Sequence, residues 1–196
     1  PLLIVSNDTA ICFSDTIQIA ATGAITYSWT PNVNISNVNV GNPEVWPSVT
    51  TTYFIESVDA SGCESVDSVI ITVQSLPIAN AGPDQSVCVG EEAQLSATGG
   101  ANYAWTPSGS LNNENIANPL ATPSATTDYE VIVSDNVGCS AVDSVTVTVN
   151  PLPTIDAGPD QTLCLGQTVQ LTATGADTYD WTPAAGLSDA TISNPT

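Results

Sequence analysis

The sequence predicts an all-β protein built as tandem β-sandwiches of 76 residues, and three observations carry that prediction. The first is repetition. Cys12, Cys88 and Cys164 stand 76 residues apart, as do Gly23, Gly99 and Gly175, Tyr27, Tyr103 and Tyr179, and Trp29, Trp105 and Trp181. Residues 78–120 and 154–196 share 20 identities over 43 gapless positions. A fixed period is read before any local signal; 76 residues is too long for a solenoid unit and suits a small sandwich. The second is residue vocabulary: Val, Ile and Thr abound, Lys, Arg and Met are absent, and hydrophobic residues make up 42%. β-branched side chains fit a pleated, half-buried surface. The third is punctuation by 14 Pro and 13 Gly, as expected of turns between short strands.

The first repeat is expected over residues 1–77. Its strands are read at 2–5, at 15–21 (DTIQIAA, with Ile17 and Ile19 flanking Gln18), and at 24–29, ending on Trp29. Short irregular strands are expected in the Asn-rich 31–47, then regular ones at 52–58 and 68–73. The second repeat, 78–153, is the cleanest copy. Ala93, Leu95 and Ala97 share one strand face, Tyr129, Val131 and Val133 another, and Val145, Val147 and Val149 a third. The segment Asp135-Asn136-Val137-Gly138 reads as a hairpin connection. Pro119 and Pro123 mark edges or turns. The third repeat, 154–196, stops after its third strand; together with a start inside an apolar run, this reads as a piece of a longer protein. The joints at 75–77 and 151–153 are short and Pro-bearing, which favours a stiff, extended arrangement.

Composition excludes several functions. With no Lys, Arg or His and 20 Asp plus Glu, the formal charge is −20. Such a chain cannot neutralise phosphates, so nucleic acid is not a partner, and anionic membrane surfaces repel it. No apolar run is long enough for a membrane-spanning helix. The Ser-His-Asp, Cys-His and Ser-Lys arrangements are impossible. Paired carboxylates remain, but a 76-residue bead is too small to build the deep cleft they need, so the chain is read as a non-enzyme.

The recurring pattern is AGPDQ-x-x-C-x-G-x-x-x-x-L-x-A-T-G, then Tyr-x-Trp-Thr-Pro, Asn-Pro, Thr-Thr-x-Tyr, Gly-Cys and Asp-Ser-Val. It resembles the PKD-like and immunoglobulin-like repeats of very long secreted Bacteroidota proteins, among them gliding-associated adhesins exported by type IX secretion. The resemblance covers the whole chain. It implies an immunoglobulin-like sandwich used in tandem as an extracellular or cell-surface stalk or filament. The partners expected are neighbouring repeats of the same chain; like chains in a filament, and a surface glycan under the binding-module alternative, are further candidates. Ser14 departs from the pattern, standing where Gly90 and Gly166 stand, so the first repeat's turn is expected to differ.

Cys12 and Cys63 are 51 residues apart, as are Cys88 and Cys139. Constant spacing in small domains reads as disulfides and an oxidising setting. Pairing within each repeat, Cys12–Cys63 and Cys88–Cys139, is the first expectation, with Cys164 left for a partner beyond Thr196. The alternative places the two cysteines of a bead at opposite ends, so that Cys12 reaches Cys139 in the next one. Zinc needs four closely spaced ligands, which this chain does not offer.

Trp29, Trp105 and Trp181 are expected in the cores, as for a third-strand Trp in such sandwiches. Trp46 falls outside the period, opposite Thr122, and reads either as a local plug or as an exposed contact. Asp84, Asp135 and Asp143 form a candidate calcium site if the first strand's start meets the last hairpin; the competing reading is that they cap turns and strand edges. Asp followed by Ser or Thr and an aliphatic residue resembles the O-glycosylation signal of secreted Bacteroidota proteins, making Thr9, Thr16, Ser68 and Ser144 candidate acceptors. The function expected is a structural stalk of a surface adhesin. The alternatives are a carbohydrate- or calcium-dependent binding module and an accessory stalk of a large secreted enzyme.

Overall fold

The computed structural model describes residues 2–196; Pro1, where the first repeat is expected to begin, lies outside them. The described residues are all-β, with no helix among them. The first repeat carries β1 (Ile4–Val5), β2 (Thr9–Cys12), β3 (Ile17–Gln18), β4 (Ala21–Thr22), β5 (Thr26–Thr30), β6 (Glu44–Val45), β7 (Thr51–Val58) and β8 (Glu64–Gln74). The second carries β9 (Gln85–Cys88), β10 (Ala93–Gln94), β11 (Asn102–Thr106), β12 (Leu120–Ala121), β13 (Thr127–Ser134) and β14 (Ser140–Asn150).

The first two repeats are each a β-sandwich. One layer is a four-stranded sheet, ordered β2-β8-β7-β5 in the first repeat and β9-β14-β13-β11 in the second. The other layer is made of short ladders, β1-β4 and β3-β6, then β10-β12. β7 and β8 form an antiparallel hairpin, as do β13 and β14, while β2 and β9 lie parallel to the last strand of their own repeats. On β7, Tyr53 and Ile55 point inward and Phe54 and Glu56 outward. Tyr129, Val131 and Val133 do the same on β13.

Two apolar clusters fill the sandwiches. Ile19, Trp29, Val45, Tyr53, Ile55, Val69 and Ile71 make the first, and Leu95, Trp105, Tyr129, Val131, Val133, Val145 and Val147 the second. Trp29 and Trp105 sit at their centres, each 1% exposed. A buried indole N–H needs an acceptor. Trp29 Nε1 donates to the Val40 carbonyl at 2.9 Å, and Trp105 Nε1 to the Ile116 carbonyl at 3.0 Å.

Gly99 shows why one residue type recurs at its position. Its φ is +109°, and an added Cβ would lie 1.8 Å from the Ile78 carbonyl oxygen, so only glycine lets the segment at Ile78 pass there. The same approach recurs at Gly23 and Gly175.

Residues 154–196 hold the expected third copy in part. The Trp181 indole donates to the Ile192 carbonyl at 2.9 Å, and Leu171 and Ala173 amides donate to Pro195 and Ser193 carbonyls, as Leu95 and Ala97 amides do to Pro119 and Ala117. No strand is formed there among the described residues. In the second repeat Trp105 pairs with Val131 of β13, and β9 pairs with β14. No strand of the β13 or β14 kind covers residues 154–196 among the described residues; Trp181 is half-buried and Cys164 is exposed.

Several strand expectations change. The strand expected at 2–5 is confined to Ile4–Val5, and that at 15–21 splits into Ile17–Gln18 and Ala21–Thr22, which belong to different ladders; the strand expected at 24–29 spans Thr26–Thr30, and that at 68–73 spans Glu64–Gln74. β2 and β9, which carry the first cysteine of each repeat, were not foreseen as strands.

Candidate functional site

The position of each cysteine follows from strand register. β2 runs parallel to β8 with Cys12 opposite Gln74, the last residue of β8. Cys63 immediately precedes Glu64, the first residue of the same strand. The two thiols of one repeat are therefore separated by the length of an 11-residue strand, on the order of 35 Å. A disulfide needs Cα atoms within about 7 Å. The within-repeat pairing Cys12–Cys63 is thereby corrected. Cys88 opposite Asn150 and Cys139 before Ser140 repeat the geometry, so Cys88–Cys139 is corrected for the same reason.

The bond that forms crosses the junction. Cys12 is joined to Cys139 with Cα atoms 5.5 Å apart. Cys63, Cys88 and Cys164 are free and exposed. Ala10, Ile11, Asp15, Thr16, Gln74 and Val137 line a depression around the bond.

Both halves of the junction are held by carboxylates acting on backbone amides. On the strand side, the Asp15 amide donates to the Cys12 carbonyl at 3.0 Å, and the Cys12 amide donates to Asp15 Oδ2 at 3.2 Å. Ser14 in this turn has φ +73°, beside +90° at Gly90 and +82° at Gly166. The expected difference in the first turn is thus corrected: serine adopts the same left-handed backbone. On the hairpin side, Asp135 Oδ1 accepts from the Val137 and Cys139 amides, both at 2.9 Å. Cys139 is 2% exposed.

The unbonded cysteines occupy matching geometries. The Glu91 amide donates to the Cys88 carbonyl and the Cys88 amide to Glu91 Oε2, both at 3.0 Å. Asp59 Oδ1 accepts from the Ser61 amide at 2.8 Å and the Cys63 amide at 3.0 Å. The Cys63 amide is the largest cause holding the Asp59 carboxyl below the ordinary range.

The three carboxylates proposed for calcium are spread along the sheet. Asp84 Oδ1 accepts from the Thr146 amide at 2.9 Å, Asp143 Oδ2 from the Ala81 amide at 2.8 Å, and Asp135 holds the hairpin. Thr146 lies three residues from Asp143 on β14, roughly 10 Å, and the hairpin lies about as far beyond Asp143 in the other direction. No group of three metal-ligating side chains occurs among the described residues. Asp84, Asp135 and Asp143 therefore do not fit a shared cation; each caps backbone, the competing reading. The Ala81 amide, then the Ser144 amide, lower the Asp143 pKa.

Trp46 is 42% exposed, which makes it a surface residue rather than a plug. Of the candidate glycan acceptors, Thr16 and Ser144 are exposed, while Thr9 on β2 and Ser68 on β8 are half-buried. No helix of the described residues is long and apolar enough to cross a membrane.

No family model matches the chain. No curated protein matches it either. Among solved structures it is similar to the first two immunoglobulin domains of DIP-gamma, at 14% identity and a TM-score of 0.36 over 76% of this chain and 98% of that one. It is also similar to the insect immune protein hemolin, at 16% and 0.38 over 75% and 46%, and to Sidekick-1 immunoglobulin domains 1–4, at 13% and 0.34 over 81% and 54%. The chain thus spans about half the length of the last two. These likenesses concern strand arrangement and bear on no activity.

Proposed function

We propose that the chain is a non-catalytic structural shaft of an extracellular surface adhesin or filament, with repeats over residues 1–77, 78–153 and 154–196 set in series. The observation that supports this best is the Cys12–Cys139 bond, which spends a covalent link on the junction between two sandwiches rather than on either core. A disulfide of this kind belongs to an oxidising compartment. A net charge of −20 without a single side-chain cation keeps such a surface soluble and discourages edge-to-edge pairing. Exposed Thr16 and Ser144 are the acceptors best placed for glycans, and an intact mass equal to the bare chain counts against them.

Small-angle X-ray scattering tests the shaft. Two complete beads of roughly 35 Å and a partial third in series give a radius of gyration of about 25–30 Å, against about 16 Å for a compact body of this length. A value near the compact one refutes the reading.

A second reading, a carbohydrate-binding module, has one observation in its favour: Trp46 exposes an indole where the period has Thr122. A glycan array that shows binding lost in Trp46→Ala supports it; an array without binding removes it.

A further inference from the structure

We propose that the Cys12–Cys139 bond is one link of a series, and that Cys63 and Cys88 are half-links for neighbouring copies of this repeat. Cys63 takes the first cysteine of a copy placed ahead of it, and Cys88 takes the hairpin cysteine of the copy placed after it. The inference rests on the shaft reading, because it needs repeats in series.

Period and geometry carry it together. Cys88 is Cys12 moved by one period, and Cys63 is Cys139 moved back by one. The bond that joins Cys12 to Cys139 therefore prescribes, one period on, a bond from Cys88 to the hairpin of the next copy. Neither half-link can be satisfied inside its own repeat, because a strand of 11 residues separates it from its sister thiol. Both half-links already hold the bonded shape. The turn at Cys88 is closed by Glu91 as the turn at Cys12 is closed by Asp15. The loop at Cys63 is held by Asp59 as the loop at Cys139 is held by Asp135. Val87 and Asn150 stand beside Cys88 where Ile11 and Gln74 stand beside Cys12. Cys139, covered in the junction, is buried, whereas Cys63, its counterpart, is exposed.

Each link forms by thiol–disulfide exchange with a low-molecular-weight disulfide. One thiolate attacks a sulfur of the small disulfide and releases one small thiol. The second protein thiolate then attacks the mixed disulfide and releases the other. Two protons leave the protein thiols, and two electrons pass to the small disulfide, which departs as two thiols.

The test uses two extended chains. One carries a copy of residues 78–153 ahead of Leu2; the other carries a copy of residues 121–153 after Thr196, completing the third repeat. Both are refolded with a mixture of small thiol and disulfide and mapped by non-reducing proteolysis. The first is expected to yield a peptide linking the added copy of Cys88 to Cys63, with loss of Cys63 alkylation. The second is expected to link Cys88 to the added copy of Cys139. Retained alkylation of Cys63 and Cys88, or pairing of the added cysteine within its own repeat, overturns the inference. Should one extended chain fail to fold, the other reads the same outcome at the opposite half-link. Scattering on the same samples separates the two proposals: added length without the new bond leaves the shaft and removes the series, and no added length removes the shaft.

Discussion

Removing the junction bond has a cost that can be worked from its position. The perturbation is the double variant Cys12→Ser/Cys139→Ser. The bond closes a ring across a sequence separation of 127 residues. In the chain-entropy model that restrains the unfolded ensemble by about 16.5 cal/mol/K, or about 4.9 kcal/mol at 25 °C. That figure applies when both sandwiches unfold together. If the first unfolds while the second stays folded, the open stretch runs from Cys12 to the second core, about 65 residues, and the figure is about 4.3 kcal/mol. Urea unfolding followed by tryptophan fluorescence reads the loss as a lower midpoint, and reduction of the wild-type chain is expected to reproduce it. The control is Cys63→Ser/Cys88→Ser, which removes two exposed free thiols and is expected to stay within about 0.5 kcal/mol of wild type. Equal losses in the two double variants, or no loss in the first, would refute the reasoning.

Gly99→Ala drives a Cβ into the Ile78 carbonyl at a φ of +109° and is expected to cost more than about 3 kcal/mol in the second sandwich, read as a lower urea midpoint. Trp105→Ala empties the centre of a closed core and is expected to cost about 3–5 kcal/mol, whereas Trp181→Ala, at a half-buried site, costs less than half of that; thermal melts of the two variants compare them. Asp143→Asn tests the carboxylate caps. Because the Asp143 pKa is lowered in the folded state, its contribution is complete above the unfolded carboxylate value of about 3.9 and is lost as pH falls through the folded value. The variant is therefore expected to melt below wild type at pH 7, with the gap closing below about pH 4; a gap that persists there counts against the cap.

The fold was legible because its signals are local and repeated. Trp29 and Trp105 at one position of successive copies, and the alternation of Tyr129, Val131 and Val133 on β13, identify core positions and an inward face in the sequence itself. β2 and β9 were not legible. TAIC and QSVC are four residues each, without clean alternation, and their strand character comes from parallel pairing with residues some 60 positions away. The cysteine pairing was open for a different reason. In a periodic chain, a bond inside each repeat and a bond from each repeat to the next are equally regular, so spacing cannot choose between them. Register chooses, by placing Cys12 beside Gln74 at the far end of the strand that follows Cys63. At Ser14 the residue type suggests a different turn, yet its backbone is left-handed and the Asp15 hydrogen bonds close the turn as Glu91 closes that at Cys88. The recurring aspartates were visible as a pattern, but only the amide partners of Asp84, Asp135 and Asp143 show that they secure main chain.

The covalent bond from Cys12 to Cys139 also redraws the route along which a pull would travel. Tension entering ahead of Cys12 passes through sulfur to Cys139 and leaves along β14, bypassing everything in between. Neither apolar centre need be torn open for force to cross the pair. When tugged, an oxidised molecule should behave as a short inextensible cord, and a reduced one as two beads that pay out slack one after the other.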